Sequence, residues 1–466
     1  MRAWSFEYRL RKPSLLMAVI ESTILFSSVY VAGFVVFGSF EACQRVLGPL
    51  LPKVTVVATI VLLSLIAMGL YQFNQRLYFR ETVVRIVVAF GVASLAIAIV
   101  FKAFPNIVIS RDIAGIAVCY TLILILLFRY LFLCRIDQNM FRRRTMIYGA
   151  GDRAASLFDL RRKADRRGFK IVGRLAAPGD TIVGDRSDVF MTNGKSIVEY
   201  VRDAGADEIV IAMDERRGNF PIRELLDARL QGISVIDLIE FLERETGKIP
   251  LELVNPGWLI FSEGFQSSRF RRILQRVLDV FISAALILST WPIMLFIVLA
   301  TKIEDGLVAP VLYRQCRVGR GGKHFQLFKF RSMAVNAEAD GKAVWADSDD
   351  VRITRVGRFL RRSRLDELPQ AFNVLRGTMS LVGPRPERPE FVGTLQEHIP
   401  YYAERHTVKP GVTGWAQLRC PYGASEEDAK EKLQYDLYYV KNQSVMLDIM
   451  ILLQTVEVVL WGKGAR

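Results

Sequence analysis

The chain has 466 residues, with 62 Lys plus Arg against 47 Asp plus Glu, a formal net charge of +15 and 51% apolar residues. That apolar content excludes a disordered or low-complexity protein, and at about 150 residues per domain the length suggests roughly three units. The apolar residues gather in long runs near the N-terminus, which argues against an ordinary soluble enzyme. A basic chain with such runs points to a membrane with an anionic cytoplasmic face. Nucleic acid is not expected as a partner, because no finger, zipper or other binding module is present. The cysteines (Cys43, Cys119, Cys134, Cys316, Cys420) form no CxxC pair and the histidines no HExxH, so zinc and a disulfide framework are not indicated.

Four apolar segments come first, at about Leu15–Phe40, Val54–Phe73, Val83–Phe104 and Ile113–Leu133. Each approaches the roughly 20 residues of a bilayer-crossing helix. The first is too long for a signal-peptide core and has no clear small-residue cleavage site. Loop cations set orientation. Arg2, Arg9, Arg11, Lys12, Arg76, Arg80, Arg85, Arg135, Arg142, Arg143 and Arg144 fall on one side, and only Arg45, Lys53, Lys102 and Arg111 on the other. Both ends of the bundle, and all that follows, are therefore expected in the cytoplasm. Glu21 lies inside the first span, where a carboxylate is costly and must face a neighbouring helix or a water pocket. It suits either a transport path or a paired packing residue.

Arg144–Tyr148 then reads as a strand, followed by Gly149-Ala-Gly151-Asp-Arg-Ala154 and a helix to about Arg166. This is a GxGxxA turn, with Gly149 and Gly151 as a candidate nucleotide loop. Strand-like runs at Lys170–Leu175, Glu208–Met213 and Ser234–Asp237, with a helical stretch at Phe220–Leu230, make an alternating α/β pattern and hence a parallel sheet. The acidic residue expected after the second strand to hold a ribose is missing, since Leu175 leads into Ala-Ala-Pro. A bound dinucleotide, another regulatory nucleotide and a purely structural or oligomerising sheet all stay open. A bundle joined to such a sheet would suit a homodimer.

Arg269–Arg276 is basic and leads into the apolar run Val277–Thr301, with Trp291-Pro292 near its middle. Proline removes a helical hydrogen bond and kinks a helix. A re-entrant helix over about 273–301, broken at Pro292 and dipping into one leaflet, is expected in preference to a full crossing. The polar stretch that follows carries the chemistry. Phe325–Met333 is an alternating strand bearing Lys329 and Arg331. Six arginines stand between Arg352 and Arg364, with Arg355, Arg358 and Arg361 or Arg362 on one helical face. Asp366 and Glu367 follow, and Pro369 suits the first turn of a new helix, which places Asp366 at or beside its N-cap, where backbone N–H groups favour an anion. A carboxylate can attack phosphorus to form an acyl phosphate. A second acid can bind Mg²⁺, which neutralises a diphosphate, and arginines clamp phosphate oxygens. The apolar tail Val445–Trp461, interrupted by Asp448, Gln454 and Glu457, reads as an amphipathic interfacial helix.

Lys329-Phe-Arg-Ser-Met, Leu365-Asp-Glu-Leu-Pro-Gln370, Ser380-Leu-Val-Gly-Pro-Arg-Pro386 and Pro410-Gly-Val-Thr-Gly-Trp-Ala-Gln417 resemble the bacterial polyprenyl-phosphate hexose-1-phosphate transferases, the initiating sugar transferases of exopolysaccharide and O-antigen synthesis. The resemblance covers roughly Phe270–Arg466, and the preceding bundle and nucleotide-fold domain resemble the longer members. It implies an α/β membrane protein. Residues 1–140 would form a four-helix transmembrane bundle, 141–265 a Rossmann-like cytoplasmic domain and 266–466 a monotopic phosphoglycosyl transferase domain with its re-entrant helix. The implied reaction joins a UDP-sugar and polyprenyl (undecaprenyl) phosphate, releases UMP and uses Mg²⁺ at the inner membrane. Asp366 is the implied nucleophile, Glu367 the metal ligand, and Arg361 and Arg385 hold phosphates or support the site. Lys329 and Arg331 join them as substrate-binding candidates. Members often carry Ser-Pro at the helix break, where this chain has Trp291-Pro292. After Gln417 many continue Val-Asn-Gly-Arg-Asn, where this chain has Leu-Arg-Cys-Pro-Tyr-Gly423, so Arg419 is the candidate contact there. A rival function is a membrane-anchored nucleotide-sugar dehydratase or reductase built on the GxGxxA domain. Against it, the only Tyr-x-x-x-Lys spacing is Tyr8 to Lys12, ahead of the first span.

Overall fold

The computed structural model describes residues 12–68, 70–71, 79–135, 142–158, 168–184, 188–191, 195–216, 220–265, 268–334, 352–420 and 425–461. The loop cations Arg2, Arg9, Arg11 and Arg76 lie outside them, as do residues 159–167 of the helix expected to reach Arg166. Contacts divide the chain into two compact units, Met1–Phe241 and Leu242–Arg466.

The first unit opens with α1 (Lys12–Phe37), α2 (Phe40–Leu47), α3 (Leu50–Ala67), α4 (Phe79–Ala103) and α5 (Arg111–Arg135). Stretches of α1, α4 and α5 are long and apolar enough to cross a bilayer. The first span ends sooner than its composition suggests. Gly38 turns the chain at φ 70 and Ser39 caps α2 by accepting from the Ala42 amide. The second is also shorter, its apolar stretch being Leu50–Ile66, in a helix about 27 Å long. Val29, Ala32, Cys43, Val54 and Ile113 interlock at the bundle centre. Gly33 is required there, since a Cβ would stand 2.5 Å from Cys43 Sγ. Leu95, Ile99, Ile123 and Leu127 point outward, which suits contact with lipid.

Glu21 is fully buried and paired. Arg129 Nε on α5 donates to its Oε1 at 2.6 Å, the Tyr71 hydroxyl donates to Oε2, and Arg129 Nη1 donates to the Leu70 carbonyl at 2.8 Å. The packing role, rather than a transport path, accounts for every one of these contacts. Arg129→Leu leaves Glu21 buried without its counter-charge and should destabilise the bundle by about 3–5 kcal/mol. The double replacement Glu21→Leu/Arg129→Leu should recover most of that loss, as read by thermal unfolding in detergent.

The same unit continues with β1 (Arg143–Tyr148), α6 (Asp152–Ala155), β2 (Phe169–Leu175), β3 (Val189–Phe190), α7 (Ile197–Asp203), β4 (Glu208–Ile211), α8 (Ile222–Leu230) and β5 (Ser234–Asp237). The strands run parallel in the order β3-β2-β1-β4-β5, a doubly wound arrangement. Met146, Leu175, Ile209, Ile211 and Val201 form its core. β3 was not visible as a run of β-formers, because only two residues of it pair.

The chain passes between the units inside α9 (Leu238–Thr246). Residues 242–265, which the sequence assigns to the α/β domain, pack on the second unit: Ile249 and Leu251 meet Leu433 and Leu437, and Lys441 Nζ lies 2.5 Å from Glu243 Oε2. The second unit then runs through α10 (Pro256–Phe261), α11 (Arg269–Asp305), β6 (Leu312–Val318), β7 (His324–Phe330), α12 (Arg355–Ser363), α13 (Gln370–Arg376), β8 (Ser380–Val382), α14 (Pro389–His398), β9 (Gly411–Thr413), α15 (Trp415–Arg419), α16 (Glu426–Lys441) and α17 (Val445–Trp461). β6 and β7 form an antiparallel hairpin, closed by Gly321 (φ 64) and Gly322 (φ 74).

α11 is one helix of 37 residues with Pro292 inside it. Both of its flanks pack on its own unit. Arg276 donates to the Val374 and Leu375 carbonyls at 2.5 and 2.6 Å, Asp279 accepts from the Leu381 amide at 2.9 Å, and Ile297 packs with Phe330 and Leu360. Between these anchors Leu286, Leu288, Trp291, Leu295 and Phe296 are exposed. The tail differs from its expected interfacial form. α17 buries Leu447, Met450 and Ile451 in the core of the unit, and Asp448 turns inward to accept from the Tyr439 hydroxyl at 2.8 Å. Asp448 thus belongs to the packed face of α17.

Candidate active site

Strand alternation aims Lys329 at the turn before α13, and Glu367 receives it. Lys329 Nζ and Arg385 Nη2 each lie 3.0 Å from Glu367 Oε1. Asp366, 7% exposed, is buried beside them. The expected N-cap is not formed. Asp366 and Glu367 lie in a 3-10 turn, Leu365–Glu367, that runs straight into α13, and Pro369 takes the cap position. The turn's own amides donate within it, Glu367 N to Arg364 O and Leu368 N to Leu365 O, so the positive potential comes from side chains rather than from a free helix start. Arg364 begins the turn in the left-handed region at φ 61, which ends α12 abruptly and reverses the chain toward β7.

The arginine helix divides its charges. Arg355, Arg358 and Arg362 are exposed on α12, whereas Arg361 turns inward and its Nε donates to Ser332 Oγ at 2.9 Å. Glu304, at the end of α11, accepts from the Arg355 and Val356 amides at 2.7 and 2.9 Å and fixes the start of α12. Gly357 lets α12 press on the strand exit, where a Cβ would stand 2.0 Å from the Ser332 carbonyl oxygen. Asn373 locks α13 to β7, accepting from the Phe328 amide at 3.0 Å and donating to the Gln326 carbonyl at 2.7 Å.

Electrostatics separate the two acids. Burial raises the Asp366 pKa, and Glu367 adds to the rise against the opposing cations Lys329, Arg385 and Arg361. Burial acts the same way on Glu367, but the Lys329 ammonium and Arg385 guanidinium overcome it and hold that carboxyl well below the usual carboxylate range. Glu367 is therefore a fixed anion, and Asp366 is the carboxylate with weaker compensation. Among the described residues no cluster of three or more His, Cys, Asp or Glu could hold a metal ion. Both cations contact Oε1 of Glu367, and among the described residues Oε2 accepts no hydrogen bond. Mg²⁺ commonly takes one or two carboxylates with waters and substrate phosphates. The acid pair fits an ion bound in that way.

Residues 270–462 match the family model described as bacterial sugar transferase. The chain is 34% identical over 326 residues, 68% of each chain, to the UDP-glucose:undecaprenyl-phosphate glucose-1-phosphate transferase of Escherichia coli (strain K12). The chain belongs to the bacterial sugar transferase family. It is also 39% identical to the UDP-N-acetylgalactosamine-undecaprenyl-phosphate N-acetylgalactosaminephosphotransferase of Aeromonas hydrophila, over 60% of this chain and 63% of that protein. Against the UDP-glucose:undecaprenyl-phosphate glucose-1-phosphate transferase of Xanthomonas campestris pv. campestris it is 34% identical, over 64% of this chain and 62% of that protein. The chain thus spans just under two thirds of the length of the latter two relatives.

In this member of the bacterial sugar transferase family the other site candidates fall in different places. Arg331, expected within the strand, stands one residue past the end of β7, and its Nε and Nη1 are buried without a hydrogen-bond partner. Arg419 lies over the Trp415 ring, 4.2 Å from its centroid. Two groups that the sequence did not reveal stand behind Arg385. Arg405 Nη2 donates to the Arg385 carbonyl at 3.0 Å and pairs with buried Asp436 at 2.7 Å, and Arg317 Nη1 donates to the Pro386 carbonyl at 2.9 Å. No spacing signal could have found them, since Asp436 is separated from Arg385 by about fifty residues of sequence.

The glycine loop of the first unit is already supplied with anions. Asp214 accepts from the Asp152 and Arg153 amides at 3.0 and 2.8 Å, and Asp180 accepts from the Ala150 amide at 2.8 Å. The close approach that Gly151 permits is used by Asp214, whose Oδ2 would lie 1.7 Å from a Cβ there. These amides are the donors a pyrophosphate would need. Titration with NADPH, followed by nicotinamide fluorescence, should accordingly show no saturable binding. Micromolar binding would show that Asp214 and Asp180 yield to a ligand.

Proposed function

We propose that this protein transfers a sugar-1-phosphate from a UDP-sugar to polyprenyl (undecaprenyl) phosphate and releases UMP, through a phospho-Asp intermediate on Asp366, as the first step of exopolysaccharide or O-antigen synthesis. The observation that carries this is the buried Asp366 beside a Glu367 whose charge is already balanced by Lys329 and Arg385. The sugars in the relatives' names, glucose and N-acetylgalactosamine, make a hexose-1-phosphate the expected cargo.

In the first step an Asp366 carboxylate oxygen attacks the sugar-bearing phosphorus, the P–O bond to UMP breaks, and UMP leaves with the electron pair. In the second, an oxygen of the lipid phosphate attacks the acyl phosphate and Asp366 leaves as carboxylate. Lys329 and Arg385 hold Glu367 ionised throughout and place positive charge beside the transferring phosphoryl group. Bound Mg²⁺ would neutralise the diphosphate, with Glu367 as its protein ligand and Asp366 next to it. Arg361 and Arg385 are the phosphate-binding residues in this scheme.

A membrane site on the cytoplasmic face of the inner membrane completes the proposal. The return of both flanks of α11 to one unit, with exposed Leu288, Trp291 and Phe296 between them, supports a re-entrant helix bent near Pro292. The doubly wound sheet supports a Rossmann-like domain whose role is structural, and a second copy of the chain is the expected protein partner.

Membranes incubated with a panel of UDP-sugars and undecaprenyl phosphate should form UMP with at least one sugar. Asp366→Asn should lower that rate at least about a thousandfold, and ordinary turnover in this variant would sink the covalent step. Glu367→Gln should weaken the dependence on Mg²⁺, and an unchanged dependence would remove the ligand role. Asp366 must be ionised to attack, so the rate should rise with pH through its raised pKa. Arg361→Gln deletes a cation that lowers that pKa. The acid limb of the pH–rate profile should therefore move to higher pH, with Arg361→Lys moving it less.

A further inference from the structure

The exit of α11 leads into a groove that the acid pair does not explain. It is lined by Pro310, Val311, Leu312, Tyr313, Arg314 and Arg331, with a volume of about 610 Å³. Just before it in sequence, Ile303, Leu307 and Val308 are exposed by 86%, 83% and 98%, and its own wall residue Leu312 is 44% exposed. Lys302 pins this turn by donating to the Ala309 carbonyl at 2.8 Å. Arg331 also lines the groove, and its guanidinium has two buried nitrogens that meet no acceptor. A buried donor without a partner costs roughly 1–3 kcal/mol, more when it is charged. An anion bound there would remove that cost.

The β6–β7 register connects the groove to the reaction. Val311 leads directly into the paired residues Leu312 and Phe330, and its carbonyl accepts from the Arg331 amide at 2.8 Å. Arg331 stands one residue past β7, and its amide bond to Val311 continues the β6–β7 pairing by one step, so Arg331 and Lys329, two residues apart, fall on the same side of that ladder. Lys329 grips Glu367. An anion on Arg331 would thus stand about 7 Å along the strand from the cation beside the acid pair.

A ligand with an apolar chain at one end and a phosphate at the other matches this groove. We propose that it is the docking site of the acceptor lipid phosphate, with Arg331 as its anion-binding residue and the exposed edge around Leu312 against the first isoprene units. The inference rests on the transfer reaction proposed above and assigns its acceptor a place separate from the UDP-sugar. One oxygen of the docked phosphate attacks the phosphorus of phospho-Asp366, the P–O bond to the carboxylate breaks, and a diphosphate forms. With the lipid phosphate as dianion no proton needs to move.

The test uses the full chain in nanodiscs, with undecaprenyl phosphate and the UDP-sugar that supports UMP release. Arg331→Gln should raise the KM for undecaprenyl phosphate at least tenfold and change the KM for the UDP-sugar less than twofold. Leu312→Asp should do the same more weakly, and Arg331→Lys should recover part of the loss. A rise confined to the UDP-sugar KM would assign Arg331 to the donor diphosphate and overturn the proposal, as would two unchanged KM values. A photoreactive short-chain isoprenyl phosphate gives a second readout that needs no turnover. It should label the peptide containing residues 310–314 in the wild type and lose that label in Arg331→Gln, with inorganic phosphate competing only weakly. Equal labelling of both proteins overturns the docking site even if transfer proceeds, whereas labelling without UMP release from any UDP-sugar would sink the transfer reading alone.

Discussion

Two adjacent carboxylates in a buried turn repel each other, and the rest of the second unit is arranged around that repulsion. Glu367 is stabilised by two cations that meet on one of its oxygens, Lys329 from β7 and Arg385 from the loop after β8. Removing one partner of a buried ion pair costs about 3–5 kcal/mol, so neither cation is dispensable to the turn. Asp366, which forms no ion pair among the described residues, keeps a raised pKa. The same asymmetry leaves Asp366 the more basic of the two acids, because a carboxylate held less tightly by cations is more basic, and the proposed attack on phosphorus calls for that property.

The turn itself has little intrinsic stability, being three residues of 3-10 geometry entered through a left-handed arginine. It is held from outside. On one side α11 reaches α13 through Arg276 and reaches β8 through Asp279, which also accepts from Ser380 Oγ at 3.0 Å. On the other, Glu304 at the far end of α11 fixes the start of α12. The 37-residue α11 is thereby the frame on which the acid pair is suspended. Any bend of α11 in a bilayer would be felt by α12 and α13 together, since both are bonded to it and they flank the turn.

What the sequence made legible was periodic. The strand alternation of β7 placed Lys329, the arginine spacing placed α12, and the βαβ alternation placed β1, β2, β4 and β5 within a residue or two. What it hid was non-local. Asp366 read as a helix cap because Pro369 favours a first helical turn, yet Pro369 itself occupies the cap position and the 3-10 turn uses the amides that an N-cap would need. Asp448 read as an interruption of an apolar tail helix, but Tyr439 on α16 supplies a donor that no local pattern shows. The glycine loop had the spacing of a phosphate site, and only the fold reveals that Asp214, some sixty residues on, occupies its amides. Short β3 escaped because two residues carry no period.

The excess of cations also divides once the contacts are known. Arg271, Arg276, Arg317 and Arg405 direct their guanidiniums at the Gln443, Val374, Pro386 and Arg385 carbonyls, and Arg405 at buried Asp436 as well. These arginines bind backbone that would otherwise be buried and unpaired, so they hold loops rather than substrate. Arg405 is the clearest case. It reaches the carbonyl of the residue whose side chain grips Glu367, so the Asp436–Arg405 pair sets the position of Arg385 from behind. A phosphate needs a cation with donors left to offer. Besides Arg361 and Arg385, which the proposed reaction assigns to phosphate, Arg331, with two buried nitrogens unmatched, and Arg358 and Arg362, exposed on α12, belong to that class. Arg331 lines the groove of residues 310–314, and the other two lie on the exposed face of α12. The net charge of +15 is therefore not a diffuse property of the chain. In the second unit it separates into arginines that hold the fold and arginines that remain available to phosphate.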